Sequence, residues 1–240
     1  NNFSSVAGTL TKTEDCPSNV FATFNSLENL QGQTFSYGNN KVDIPQAKYP
    51  GGFSTLAMNS GKFYCEIKLT GGNTDGSGNY KSFIGITGNC NLGDKNNRYL
   101  GQDTYSYGYQ GEGGTVLNNA STTSYGNSYT NGDIVGVALD LDNNKLYFSK
   151  NGTWQNSGDP TSGSTGTGAV SIGTSPTGFW HFACSGSSTN YSTNHAANFG
   201  NGYFQSTAIS SAGTNASNNG IFEYDVPAGY TALSTKGLNL

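Results

Sequence analysis

Apolar and polar residues alternate one by one over several stretches of this chain, and nowhere do apolar residues sustain a 3.6-residue period. Residues 61–70 are the clearest case. Phe63, Cys65, Ile67 and Leu69 fall on one face of an extended segment, with Lys62, Tyr64, Glu66 and Lys68 on the other. Residues 80–87 predict a second strand, buried at Phe83-Ile84-Gly85-Ile86, and residues 179–185 and 196–199 predict two more core strands. A hairpin is expected over 33–44, turning at Tyr37-Gly38-Asn39-Asn40, and residues 221–235 close the domain. Residues 88–131 read as loop-rich, with aromatic clusters at Tyr105-Ser106-Tyr107-Gly108-Tyr109 and at Tyr125 and Tyr129; 156–168 is a Gly/Ser/Thr excursion.

The most specific segment is 132–152, in which residues 134–142 and 145–150 flank Asn143-Asn144. Asn tolerates positive φ, so this pair predicts a two-residue hairpin turn. That register sets Asp142 opposite Lys145, Leu141 opposite Leu146, Asp140 opposite Tyr147 and Leu139 opposite Phe148. The apolar pairs then share one face, and a slip by one residue would turn them to the other.

Composition agrees with many short strands joined by tight turns. The 240 residues include 35 Gly, 15 Tyr and 13 Phe with a single Met, and only 11% are charged. A formal net charge of −4 is too small for the disorder that high charge and low hydrophobicity produce, and the aromatic residues supply a core. The pI near 5.0 and the scattered Lys and Arg argue against nucleic acid, and no apolar run reaches the ~18 residues of a membrane span. Cys16, Cys65, Cys90 and Cys184 form no Cys-x-x-Cys pair and His181 and His195 lie apart, so no metal site is expected. Cys65 and Cys184 sit in apolar strands and are expected as buried thiols rather than disulfides. The chain reads as a lead-in over 1–30, continuing from a longer parent because it starts at Asn1, and one domain over 31–240.

These segments resemble the SPRY family. Residues 132–152 are similar to its Gly-Asp-x-apolar-Gly-apolar-x-Leu-Asp strand followed by Leu-x-Phe-x-x-Asn-Gly. Residues 61–67 resemble its Gly-Lys-x-Tyr-Trp-Glu-apolar motif, with Cys65 in place of Trp. Phe83-Ile84-Gly85-Ile86, residues 105–114, Phe182-Ala183 and Asn198-Phe199-Gly200 match further landmarks. The resemblance covers about residues 34–235 and implies an all-β fold: a two-sheet antiparallel β-sandwich of concanavalin-like jelly-roll architecture. Two flanking features narrow it. Residues 15–25 look like the Thr-Pro-x-Asn-x-Phe-Ala-Thr-Leu-Asn lead-in of the family's bacteriophage members, and residues 149–160 and 222–233 look like their hairpin extension and terminal strands.

Other chemistry finds little support in the residues. Asp140-Leu141-Asp142-Asn143-Asn144 lacks the Gly and Glu of a calcium loop, having Lys145 and Asn151 at those positions. Gly111-Glu112-Gly113-Gly114 lacks the Lys-Ser/Thr of a phosphate loop. The sequons at Asn2, Asn119, Asn151, Asn190 and Asn215 are what chance gives in such a composition. Glu66, Glu112 and Glu223 form no paired carboxylate motif, and His181 reads as structural.

Binding is the function expected, without catalytic residues, cofactor or metal. Tyr in a setting of Ser, Gly and Asn suits adaptable recognition surfaces, which makes Tyr105, Tyr107, Tyr109, Tyr125, Tyr129 and Trp154 the candidate contacts. The resemblance implies partner binding by loops at one sandwich end, to which residues 105–114 and 185–190 would belong. The expectation is a virion-surface module on a tail fibre or capsid, binding other virion proteins or a host protein or glycan. It would touch neither nucleic acid nor membrane interior, and on a fibre it would be a homotrimer. The rivals are a polysaccharide-degrading tail-spike domain and a pure assembly or decoration module.

Overall fold

The computed structural model describes residues 16–27, 32–46, 49, 51–89, 99–186 and 190–239. Among the described residues seventeen strands follow one another: β1 (Thr34–Ser36), β2 (Lys41–Ile44), β3 (Gly51–Phe53), β4 (Lys62–Gly72), β5 (Ser82–Thr87), β6 (Ser106–Gln110), β7 (Thr115–Asn118), β8 (Ser121–Ser124) and β9 (Ile134–Asp140). Then come β10 (Lys145–Lys150), β11 (Thr153–Trp154), β12 (Val170–Ser171), β13 (His181–Gly186), β14 (Thr193–Asn198), β15 (Tyr203–Phe204), β16 (Thr207–Ala208) and β17 (Thr231–Ala232). Strands and isolated bridges make up 42% of the described residues, far above the usual 20–25%, and the described helix consists of single 3₁₀ turns. The all-β expectation is met.

Two sheets carry the fold. One runs β1-β2-β14-β4-β9-β10-β11, with β12 also on β10 and β17 parallel to the start of β4; the other runs β3-β13-β5-β6-β7-β8. The small β15–β16 hairpin stands apart. In the central strands every other residue enters the space between the sheets. Phe63, Cys65, Ile67, Leu69, Val137, Leu139 and Phe148 come from the first sheet, and Ile84, Ile86, Tyr109, Phe182 and Cys184 from the second. Gly85 is needed where β5 meets β6, because a Cβ there would lie 1.9 Å from the Tyr107 carbonyl oxygen.

The outward face of the first sheet is covered as well, which alternation alone did not suggest. Tyr64, Ala138 and Tyr147 point away from the main core and are buried under Phe222, Val226, Tyr230 and Ala232. Phe21 joins this second core and Phe24 the first, so part of the lead-in belongs to the sandwich rather than preceding it. Its residues 1–15 lie outside the described ones.

The β1–β2 hairpin forms with the expected turn, pairing Phe35 with Val42. The β9–β10 hairpin departs from its expected register by two residues: Lys145 pairs with Asp140, Leu146 with Leu139, and Phe148 with Val137. The cause is Asp140. Its carboxylate accepts the Asn143 backbone N–H at 3.0 Å and the Asn143 Nδ2 at 2.8 Å, and pairs with Lys62 at 3.0 Å, so it closes a four-residue turn over 141–144. A two-residue slip keeps every side chain on its face, and Leu139 and Phe148 are fully buried as expected.

Candidate interaction site at the sandwich end

The topology sorts the loops into two ends. At the β4–β5 end lie residues 73–81, 111–114, 125–133 and 190–192; at the β9–β10 end lie 37–40, 54–61, 103–105, 141–144 and 172–180. The segment expected to serve one end is therefore divided. Tyr105 is at the β9–β10 end, while 111–114 and Asn190 are at the other.

Residues 106–124 are not a loop. They hold β6, β7 and β8, and this corrects the expected surface. Tyr107 and Tyr109 share the inner face of β6, and with Tyr125 and Tyr129 they are buried in the main core at 6%, 0%, 6% and 2% exposure. The Tyr109 ring stacks on Phe148 at 5.2 Å, and Tyr125 meets Phe148 edge-on at 5.7 Å. Burial drives the Tyr125 hydroxyl up to about 12, so it stays protonated. Trp154 is half-buried on the outer core, its ring 6.4 Å from Tyr64. Only Tyr105 of the six is exposed. The period-2 spacing of Tyr105, Tyr107 and Tyr109 was the signal for a strand, and the Gly and Ser between them obscured it.

Sequence reasoning missed the polar network at the β4–β5 end. Lys81 stands between Asp75, at 2.9 Å, and Glu112, joining the β4–β5 loop to the β6–β7 turn. Gln110 donates to Glu112 at 2.6 Å and accepts from Thr115 at 2.9 Å. The Asn79 backbone N–H, with Lys81 and the Ser77 N–H, holds the Asp75 carboxyl far below its usual range. Asn73 donates its N–H to the Ser192 carbonyl at 3.0 Å, tying in the β13–β14 connection. Alongside, Lys150 reaches Asp133 at 3.1 Å and the Ser128 carbonyl at 2.8 Å. Burial alone would raise Asp133, but hydrogen bonds from the Thr130 N–H, Asn151 and Lys150 outweigh it and keep it low. These loops are cross-braced in one arrangement, with charged groups at their rim.

Groups with the chemistry for catalysis are engaged elsewhere. Ser82 Oγ is 2.7 Å from His195 Nε2, but both are fully buried and His195 Nδ1 has no hydrogen-bond partner, so no carboxylate orients the ring. Burial pushes His195 down to about 3 and leaves it neutral. Glu66 is the latch of the outer core, accepting from the Glu223 and Tyr224 N–H groups at 2.9 and 2.8 Å, Tyr64 Oη at 3.2 Å and Asn198 at 3.3 Å. Among the described residues no three His, Cys, Asp or Glu converge to hold a metal, and Cys65 and Cys184 are buried thiols whose pKa burial raises. Cys90 lies outside the described residues. Among the described residues no helix is long and apolar enough to cross a membrane.

Residues 62–170 match the SPRY domain model. Ran-binding protein 10 of Danio rerio is 32% identical over 130 residues, covering 53% of this chain and 20% of that protein. Human Ran-binding protein 9 is 36% identical over 93 residues, covering 38% and 12%. This chain thus spans a fifth or less of these relatives, both from eukaryotes. The crystal structure of the SPRY domain of human HERC1 superposes with a TM-score of 0.51 over 72% of this chain and 96% of that one, at 16% identity, which speaks for the fold alone.

Proposed function

Because this chain carries a SPRY domain, we propose that it is a non-enzymatic recognition module that holds a protein partner at the β4–β5 end of its sandwich. The observation that carries the reading is the brace Asp75–Lys81–Glu112. Loops fixed before a partner arrives lose little entropy on binding, and charge at their rim favours specificity and encounter rate over raw affinity. The engagement of Glu66, Ser82 and His195 in packing supports a role without bond chemistry. SPRY domains are protein-interaction modules, which agrees with a protein partner.

The setting we propose is a virion surface, where the module would bind other virion proteins or a host protein or glycan. Support for it comes from the lead-in at residues 15–25 and the extensions at 149–160 and 222–233, not from the eukaryotic relatives. A peptide selected from a random display library against the folded domain tests the site. Hydrogen exchange should slow at residues 73–81 and 111–114 on binding, and Lys81→Ala should weaken affinity at least about fivefold. Protection confined to the β9–β10 end, or affinity indifferent to Lys81, would overturn the reading. New reducing ends after incubation with host envelope polysaccharide would put the tail-spike rival ahead.

A further inference from the structure

A second site lies at the edge where the two sheets stop facing each other. β8 ends the second sheet, while β11 and β12 lie beside β10 at the end of the first, and between β8 and residues 156–171 opens a cleft of about 420 Å³. Opposite residues of an antiparallel pair share a face, so Tyr109↔Val116 and Val116↔Thr123 carry the inner face out to β8, and Asn118↔Ser121 extends it. The floor is apolar, made by Tyr107, Val116 and Tyr125, with Val170 across from them. The walls are hydroxyls and amides, and no Asp, Glu, Lys, Arg or His lines the cleft.

The walls have hydrogen-bonding capacity to spare. Asn119, Ser121, Thr123 and Ser124 line the cleft, and their side chains make no hydrogen bond within the described chain. Asn118 spends its Nδ2 on the Ser106 carbonyl at 2.9 Å and Asn156 its Nδ2 on the Gly168 carbonyl at 3.3 Å, which leaves their carbonyl oxygens. Tyr107 and Tyr125 accept from the Gly173 and Phe148 N–H groups at 2.9 and 3.2 Å, so each phenol keeps its own proton to give. Both walls are fixed. Asn119 and Ala120 hold a two-residue turn at φ 51° and 55°, and Asn156, at φ 54°, follows buried Gln155, whose Oε1 accepts the Asn127 N–H at 2.8 Å.

We infer that this cleft binds a neutral sugar residue of a glycan. A charged ligand would lose its hydration in a lining that holds no charged side chain. A purely apolar one would leave the wall hydroxyls unpaired. A neutral sugar has both the apolar ring face that Tyr and Val can cover and hydroxyls that donate and accept. The cleft's volume falls within the roughly 300–1,000 Å³ of small-molecule sites. β8 is four residues long, a short template for an extended peptide.

The test is an array of neutral oligosaccharides ending in glucose, galactose, mannose or N-acetylhexosamine, with sialylated and sulfated counterparts, followed by calorimetry on those retained. Neutral glycans should bind. Thr123→Trp, at an exposed position, should block the cleft and weaken binding at least about tenfold, and Ser121→Ala with Ser124→Ala should weaken it about three- to tenfold, while circular dichroism stays unchanged. Failure of the folded wild type to retain any neutral glycan would overturn the inference. So would retention of acidic glycans alone, indifference to Thr123→Trp, or displacement of the glycan by an extended peptide that protects β8. Lys81→Ala should leave glycan binding intact and Thr123→Trp should leave loop-end peptide binding intact, so the two sites stand or fall separately.

Discussion

Two kinds of residue decide how this sandwich behaves, and the first is the carboxyl of Glu66. Burial pushes it up to about 7, against the opposing effect of four hydrogen bonds. An acid whose folded pKa exceeds its unfolded value makes the native state hold the extra proton. Its contribution is full below the unfolded value, about 4.3, and is lost as pH rises through about 7. The loss over that window is on the order of 3 kcal/mol. His195 works in the opposite sense, since its depressed pKa costs stability as pH falls below about 6.5. Comparing urea midpoints of wild type and Glu66→Gln from pH 4 to 8 cancels the histidine effect. The wild type should lose stability relative to the variant as pH rises, and a difference that stays flat would refute a raised Glu66. The second kind is the aromatic residue at an ambiguous position. Tyr109→Ser should cost about 4 kcal/mol because the ring is enclosed by Tyr125, Tyr129 and Phe148. Tyr105→Ser should move the melting temperature by no more than a degree or two, because that side chain is exposed at the surface rather than enclosed. Equally small shifts for the two would put both on the surface.

At the scale of elements, what could be read in the sequence was what period 2 encodes. The faces of β4, the buried run of β5 and the β1–β2 turn follow from alternation and turn chemistry, which act locally. The β9–β10 register did not follow, because a side chain rather than a backbone dihedral chose the turn. Asp140 reaching Asn143 lengthened it, and no count of apolar pairs distinguishes registers two residues apart. β6, β7 and β8 were hidden for another reason. Their outward positions are mostly Ser, Gly and Thr, the same residues that build loops, and only the packing of the outward Leu117 of β7 with Phe83 and Leu100 fixes them as sheet. The hairpin yields a direct check. Leu139→Ala or Phe148→Ala should each lower stability by about 2–5 kcal/mol in denaturant titration. Asp140→Ala should also destabilise, through the turn and the unpaired Lys62, although it removes no apolar group. Wild-type stability of Asp140→Ala would mean that the loop closes without its carboxylate.

At the scale of the whole molecule, the candidate site was the least legible part because it is made of loops that meet only in space. Lys81, Asp75 and Glu112 carry no motif, and nothing in their spacing brings them together. The same holds for the outer core, where residues of the last third of the chain cover the back of a sheet formed mainly earlier. The matched segment, 62–170, stops before this cover begins. Tyr64, Ala138 and Tyr147 would otherwise present a contiguous apolar face to water, which monomeric domains avoid. Glu66 would also lose the two backbone donors at Glu223 and Tyr224 that offset its burial. A chain ending after Gly202 should therefore bind a hydrophobic dye, elute as oligomers in size-exclusion chromatography and melt roughly 10 °C or more below the full chain. Glu66→Leu in the shortened chain should recover part of the lost melting temperature, since it removes the stranded carboxyl, but should not restore a monomer. A shortened chain that stays monomeric, dye-free and equally stable would show that the cover is an appendage and that the sandwich is complete without it.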